Sequence, residues 1–219
     1  MAELVIFGAG DIARLAHFYF SRDSPHKVAG FAVDEEYREG EQFDGLPLVS
    51  AARLLDEFPP DRYQAFVALS YARMNRLRAE KYRWMLEQGY ACVSYVSSRC
   101  SLLTEHPIGA NCFILEDNTI QPYCRIGNDV TLWSGNHIGH DSVIEDHCFI
   151  SSHVVVSGWV RVRSYSFLGV NSTLRDNITI GESCLIGAGA VVLGDTDNHG
   201  VYVPERAHKL DMDSHAIGM

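Results

Sequence analysis

The sequence predicts a mixed chain, α/β followed by β: a small parallel sheet with helices, then a stacked parallel β-helix. Three observations predict it. An Ile, Leu or Val recurs at every sixth residue from Ile108 to Val192, fifteen times without an insertion. Period six is neither the helical 3.6 nor the strand period of two. It is the period of a coil whose flat sides each take six residues, stacked side on side. In the first hundred residues, apolar runs of strand length alternate instead with helical patterns, which implies a parallel sheet. Between the first such run and the first helix lies a glycine-rich turn.

Glu3–Phe7 reads as a buried strand. It enters Gly8-Ala9-Gly10-Asp11-Ile12-Ala13, a G-x-G-x-x-A turn, and then a helix to about Phe20. Residues 27–33 read as a second strand ending at Asp34, and residues 37–45 as an irregular polar loop. Ser50 can cap a short helix through Phe58. Residues 64–70 form a third strand, 75–88 a charged amphipathic helix closed by Gly89, and 91–96 a fourth strand. The chain then divides into residues 1–98 and residues 99–219.

In the repeat, six glycines (Gly109, Gly127, Gly139, Gly169, Gly181 and Gly187) follow the aliphatic position, where a corner needs either positive φ or close backbone approach. Four residues after the aliphatic position the side chains are mostly small or β-branched, which suits a second inward position in a narrow interior. Cys112, Cys124, Cys148 and Cys184 all fall there, so packing explains them. Three sides make an eighteen-residue coil, and five coils stand roughly 24 Å tall.

The glycine turn is Rossmann-like, and under a hundred residues supply about one mononucleotide half of such a fold. Gly8 permits the tight turn, Gly10 lets backbone approach a phosphate, and the helix N-terminus at Asp11 and Ile12 offers free N–H groups to a diphosphate. Asp34, at the end of the second strand, is placed to hold a ribose or base. Ser70 and Tyr71 follow the third strand, where an α/β sheet puts ligand contacts. A nucleotide or nucleotide sugar is the expected ligand.

A net charge of −10 argues against a broad nucleic-acid or anionic-membrane surface. No apolar run approaches the length of a membrane span, and the N-terminus has no signal-peptide layout, so a cytoplasmic location is expected. No metal is expected: no cysteine pair has zinc-ligand spacing, and His137 and His140, three apart, are not ligand geometry on a coil.

Histidines crowd one stretch: His137, His140, His147 and His153. With aliphatic and small residues taking the inward positions, these are expected to project outward or into a groove against another subunit. His140 is followed by Asp141. A neutral histidine whose tautomer a carboxylate fixes is a general-base arrangement. Adjacent strand residues face opposite ways, but at a coil corner both can turn outward; Glu145 is the alternative acid.

The hexapeptide run, the glycine-rich α/β start and the Gly139-His140-Asp141 triplet together resemble the PglD/NeuD type of nucleotide-sugar N- or O-acetyltransferases, within the hexapeptide-repeat acyltransferase superfamily. The resemblance covers nearly the whole chain. It implies that the β-helix is left-handed and assembles as a homotrimer, and that the N-terminal domain binds a nucleotide-linked amino sugar. It implies acetyl-CoA as co-substrate in the groove between adjacent β-helices, with Phe149, Gly169, Val170, Gly187 and Ala188 as its contacts. It places the family's catalytic histidine on His140 and its acidic neighbour on Asp141. The expected activity is N-acetylation in bacterial surface-glycan synthesis. O-acetylation of a sugar hydroxyl needs the same base, and a noncatalytic nucleotide-sugar-binding β-helix protein is the reading from another class.

Overall fold

The computed structural model describes residues 3–209, 211 and 214–216. Strands β1 (Glu3–Phe7), β2 (Lys27–Val33), β4 (Leu46–Ser50) and β5 (Tyr63–Val67) form a parallel sheet in the order β4-β2-β1-β5. Helix α1 (Asp11–Arg22) buries Ala13, Ala16 and Phe20 on one face, beside Leu4 and Ile6. Helix α3 (Arg76–Glu87) buries Tyr82 and Met85 on the other, beside Val5 and Phe7. The alternation along β1 thus assigns its side chains to two separate cores, as a doubly covered strand requires.

Two expectations change here. Residues 37–45 are not simply a loop. Strand β3 (Gln42–Phe43) turns at Asp44-Gly45, both at positive φ, and pairs antiparallel with β4. The apolar signal of β4 is short and interrupted by Pro47, which is tolerated because its partner is an edge strand. The fourth strand also divides. Cys92 makes a single bridge to Ala65, and β6 (Tyr95–Val96) pairs with Phe113–Ile114 in the following domain.

The repeat folds as the parallel β-helix that period six predicts, with the left hand that the resemblance implied. Its three faces are parallel stacks of seven, six and four two-residue strands. Register advances eighteen residues per coil, as in Thr131↔Phe149 and Phe149↔Phe167. The aliphatic residues from Ile114 to Val192 and the small residues four positions later form one continuous buried core. Most of the interior thiols and hydroxyls also bond, the buried Ser172 hydroxyl being without a partner among the described residues. Cys112, Cys124 and Cys148 donate to the carbonyls of Gly127, Gly139 and Arg163, and Ser142 and Ser166 donate to those of Ser157 and Gly181. In these five residues a short donor satisfies a carbonyl of the next coil while filling little volume.

The corners turn at the residue three after each aliphatic position. Asn111, Asp117, Asp129, Asp141, His147, His153, Asn171 and Asn177 all have φ near +60° there. Asn, Asp and His tolerate this region better than other non-glycine residues. The glycines after the aliphatic position, by contrast, lie outside it. They are glycines because of close approach: a Cβ on Gly139 would sit 2.5 Å from the Ser157 carbonyl carbon, and one on Gly169 2.6 Å from the Ala188 nitrogen.

The N-terminal domain covers the first face. Tyr95 and Phe113 on that face pack with Phe20 and Phe66 in one core with the sheet. Asp23, at the end of α1, accepts from the Ser98 N–H and the Tyr95 hydroxyl, and those bonds hold its carboxyl below the usual range. On the second and third faces, side chains such as Val155, Val191, Arg125 and Arg161 are exposed.

Candidate active site

The glycine turn opens a cavity of about 560 Å³ at the C-terminal ends of β1 and β2. Gly8 and Gly10 both line it, with different constraints. Gly8 has φ +135°, and a Cβ there would lie 2.6 Å from the Ala68 carbonyl oxygen, so the turn itself demands glycine. A Cβ on Gly10 would meet nothing within 4 Å, so this position faces open space. Asp34 also lines the cavity, and its Oδ1 accepts from Lys81 Nζ at 2.6 Å. Lys81 escaped sequence reasoning. The available signal was its i,i+4 relation to Leu77, which puts both on the α3 face that lines the cavity. Asp11 does not line it; its carboxylate is exposed and bonds Arg14.

A second cavity, about 440 Å³, lies between the domains. Ile12 and Tyr71 enter from the N-terminal side, and Phe149, Gly169, Val170 and Ala188 from the β-helix. Residues expected to touch an acceptor and residues expected to touch a cofactor thus share one wall. Tyr71 lies 5.1 Å from Phe149 and 5.0 Å from Phe167, ring centre to ring centre, and Phe149 stacks on Phe167 at 5.5 Å. Phe167 and Trp133 are additions to the expected set; Phe167 follows Phe149 by one coil, so the register would have found it. Among the described residues the N–H groups of Val170 and Ala188 meet no acceptor. Gly187 stands apart: its N–H bonds the Tyr202 carbonyl, and its own carbonyl accepts from Ala190. Ser70 is exposed and supplies its carbonyl to Arg78.

His140 lies at another corner, between the second and third faces. Its Nδ1 is 2.9 Å from Asp141 Oδ2. A carboxylate only accepts, so Nδ1 carries the proton and Nε2 the lone pair. The left-handed conformation of Asp141, φ 59°, turns its side chain to the same side as its neighbour's. Glu145 is engaged elsewhere, with Arg161 and Ser164. The imidazole is about half exposed, at 53%, and rests over Gly158, where a Cβ would come within 2.7 Å of Nε2. His140 lines neither cavity.

The other histidines separate. His137 is half-buried on the second face, and His153 is exposed beside Ser152. His147, expected to point outward, is buried instead. It bonds Asp129 Oδ2 through Nδ1 at 2.9 Å, under Tyr82 and Tyr165. Asp129 is fully buried and also pairs with Arg78 of α3, at 3.0 Å. Burial pushes the thiols of Cys92, Cys112 and Cys148 up to about 12, so they stay protonated at neutral pH and are poor nucleophiles. Among the described residues no group of three or more His, Cys, Asp or Glu is placed to hold a metal. Among the described residues no helix is long and apolar enough to cross a membrane.

Residues 123–158 match the bacterial transferase hexapeptide family (six repeats). Over nearly its whole length the chain superposes on solved structures of low sequence identity. The acetyltransferase domain of PglB from Neisseria gonorrhoeae is 19% identical, with a TM-score of 0.77, covering 96% of this chain and 100% of that one. PerB from Caulobacter crescentus, solved with CoA and GDP-perosamine, is 22% identical, with a TM-score of 0.80, covering 93% and 95%. WeeI from Acinetobacter baumannii is 17% identical, with a TM-score of 0.79, covering 93% and 97%. The chain shares the fold of these solved structures. Both the α/β start and the coil belong to the shared architecture, since the superposition spans the two.

Proposed function

We propose that this chain is an acetyl-CoA-dependent N-acetyltransferase acting on a nucleotide-linked amino sugar. The observation that carries the reading is the exposed His140, whose Nδ1 is fixed by Asp141 and whose Nε2 is left free. The glycine-turn cavity takes the nucleotide: Gly8 and Gly10 bring backbone to the diphosphate, and Asp34 with Lys81 forms the polar wall. The sugar extends into the interdomain cavity, past Ile12 and Tyr71, to meet the thioester. CoA lies along the coil at Phe149, Gly169, Val170 and Ala188, and the free N–H groups of Val170 and Ala188 suit its amide carbonyls. His140 Nε2 removes a proton as the sugar amine attacks the thioester carbonyl. The tetrahedral intermediate then collapses with loss of the CoA thiolate. A backbone N–H beside the oxyanion would stabilise it. Direct transfer needs no acyl-enzyme, in keeping with protonated, buried thiols.

Like that chemistry, the assembly is inferred. His140 and the cavities occupy different corners of one coil, so a second copy must bring its His140 to the first copy's cavity. Three copies close such a heterologous contact into a ring. The His140 corner and the second face present Tyr123, Trp159, Val155 and Val191 to solvent, an apolar strip suited to burial between copies. We expect a trimer in sedimentation equilibrium at micromolar concentration; a stable monomer with full activity excludes the shared site. The location we infer is cytoplasmic, and residues 1–98 and 99–219 are the two functional units.

Solved relatives give the reading a chemical context: PerB was solved with CoA and GDP-perosamine, and PglB's domain with acetyl coenzyme A. The deciding experiment is CoA release from acetyl-CoA with a panel of nucleotide amino sugars and their hydroxyl counterparts. Turnover only with hydroxyl sugars selects O-acetylation, and no turnover alongside tight nucleotide-sugar binding selects a noncatalytic role. Gly10→Val tests the nucleotide site. The open space at this position leaves folding intact while the side chain enters the phosphate path. Nucleotide-sugar affinity should fall by at least about tenfold, equivalent to roughly 1.4 kcal/mol. Unchanged affinity in calorimetry removes the glycine turn from the site.

A further inference from the structure

Arg73, Met74 and Asn75 lie in the left-handed region in succession, at φ 54°, 52° and 64°. Single non-glycine residues do so at the coil corners; no other three adjacent ones do among the described residues. Left-handed turns of L-residues are unfavourable at every position. They persist where the surroundings over-determine them, and they cluster at functional sites. The turn joins Tyr71, in the wall of the interdomain cavity, to α3, which carries Leu77 and Lys81 of the nucleotide cavity.

Asn75 is what holds the turn. It is fully buried, and its side-chain amide donates to the carbonyls of Tyr165 and Ser166, at 3.1 and 3.3 Å. Its Oδ1 accepts from Arg78, and its backbone N–H closes on the Tyr71 carbonyl at 3.1 Å. Ser166 immediately precedes Phe167, one of the two rings under Tyr71. Tyr71 is 53% exposed, and among the described residues its side chain makes ring contacts alone, so its own packing fixes it weakly.

We propose that Asn75 is a positioning residue for the acceptor: its amide pins the strained turn to the β-helix and so holds Tyr71 where the sugar meets the acyl group. The role rests on the proposed sugar acetylation, and it adds a device to that site. Asn75 aligns the two cavities across the domain boundary, so the sugar end of the acceptor meets a preformed wall. A ligand contact held this way loses less freedom on binding.

Asn75→Gly tests it, because glycine accepts the left-handed conformation but has no amide. The variant should fold, with KM for the nucleotide amino sugar raised about tenfold and KM for acetyl-CoA changed by less than about twofold. Amide exchange over residues 71–77 should accelerate. Arg73→Gly, which relaxes the same turn at an exposed position and leaves the anchor in place, should keep the wild-type acceptor KM. An unchanged acceptor KM in folded Asn75→Gly overturns the proposal, as does an equal rise in both KM values or an equal effect of Arg73→Gly. If the wild type acetylates no nucleotide sugar, the proposed function has failed on its own account. The exchange measurement still decides the anchor then: unaltered exchange over 71–77 in Asn75→Gly overturns it without reference to any substrate.

Discussion

His140→Ala should lower kcat by roughly 10²–10⁴-fold, the usual contribution of a positioned general base, with a smaller change in KM. The amine attacks in its neutral form and must shed a proton as its nitrogen gains positive charge, and Nε2 of His140 is the unpaired imidazole nitrogen that Asp141 prepares. Asp141→Asn gives a second, sharper test. An asparagine can turn its NH₂ toward Nδ1 and so favour the tautomer with the proton on Nε2, which cannot accept one. Its activity should therefore fall although the histidine remains. His137→Ala and His153→Ala should each have less effect, since neither side chain has a carboxylate fixing its ring. Steady-state rates with both substrates saturating decide the matter. Near wild-type kcat in His140→Ala would remove the base from the mechanism, and the second-face His137 would be the next residue to replace.

The geometry around His140 also shows how far the sequence could be read. Period six placed the inward side chains, because a coil without insertions leaves no freedom in register: Phe149 meets Phe167 simply because they are eighteen apart. It did not place the left-handed corner residue two positions past the glycine. The Gly8 turn was legible for a similar reason, since only one residue type fits beside the Ala68 carbonyl. The histidine cluster was legible only in part. His147 and His153 fall where the corners need left-handed residues, a backbone preference that a count of histidines mistakes for chemistry. β4 was hidden because a short strand with a proline carries little periodic signal. Least visible was whatever depends on two domains meeting. Arg78 and Asn75 look like surface residues of a charged helix and its cap, and nothing local reveals that the β-helix descends on that side.

Arg78→Ala should destabilise the fold by about 3–5 kcal/mol, the usual effect of removing one partner of a buried ion pair. Arg78 is 2% exposed, the largest fully buried side chain among the described residues. Its guanidinium donates to Asp129 Oδ1 and to the carbonyls of Asp129, His147, Cys148 and Ser70. Asn111 joins the same cluster: its amide donates to Asp129 Oδ1, and its Oδ1 accepts from the Val67 N–H of β5. Among the described residues, truncating Arg78 leaves a fully buried carboxylate with Asn111 and His147 for partners, and takes the donor from the carbonyls of Asp129 and His147. Desolvation of that carboxylate, more than loss of the pair's own attraction, sets the magnitude. The double variant Arg78→Met/Asp129→Leu should accordingly be more stable than Arg78→Ala, because apolar replacement of a whole buried pair is often close to neutral. Denaturant unfolding at one fixed protein concentration measures both, since association shifts apparent stability. A single variant within about 1 kcal/mol of wild type would show that the cluster is solvated enough to tolerate the loss. A double variant no better than the single would show that the carbonyls of Asp129 and His147, to which Arg78 donates, matter more than the carboxylate it faces.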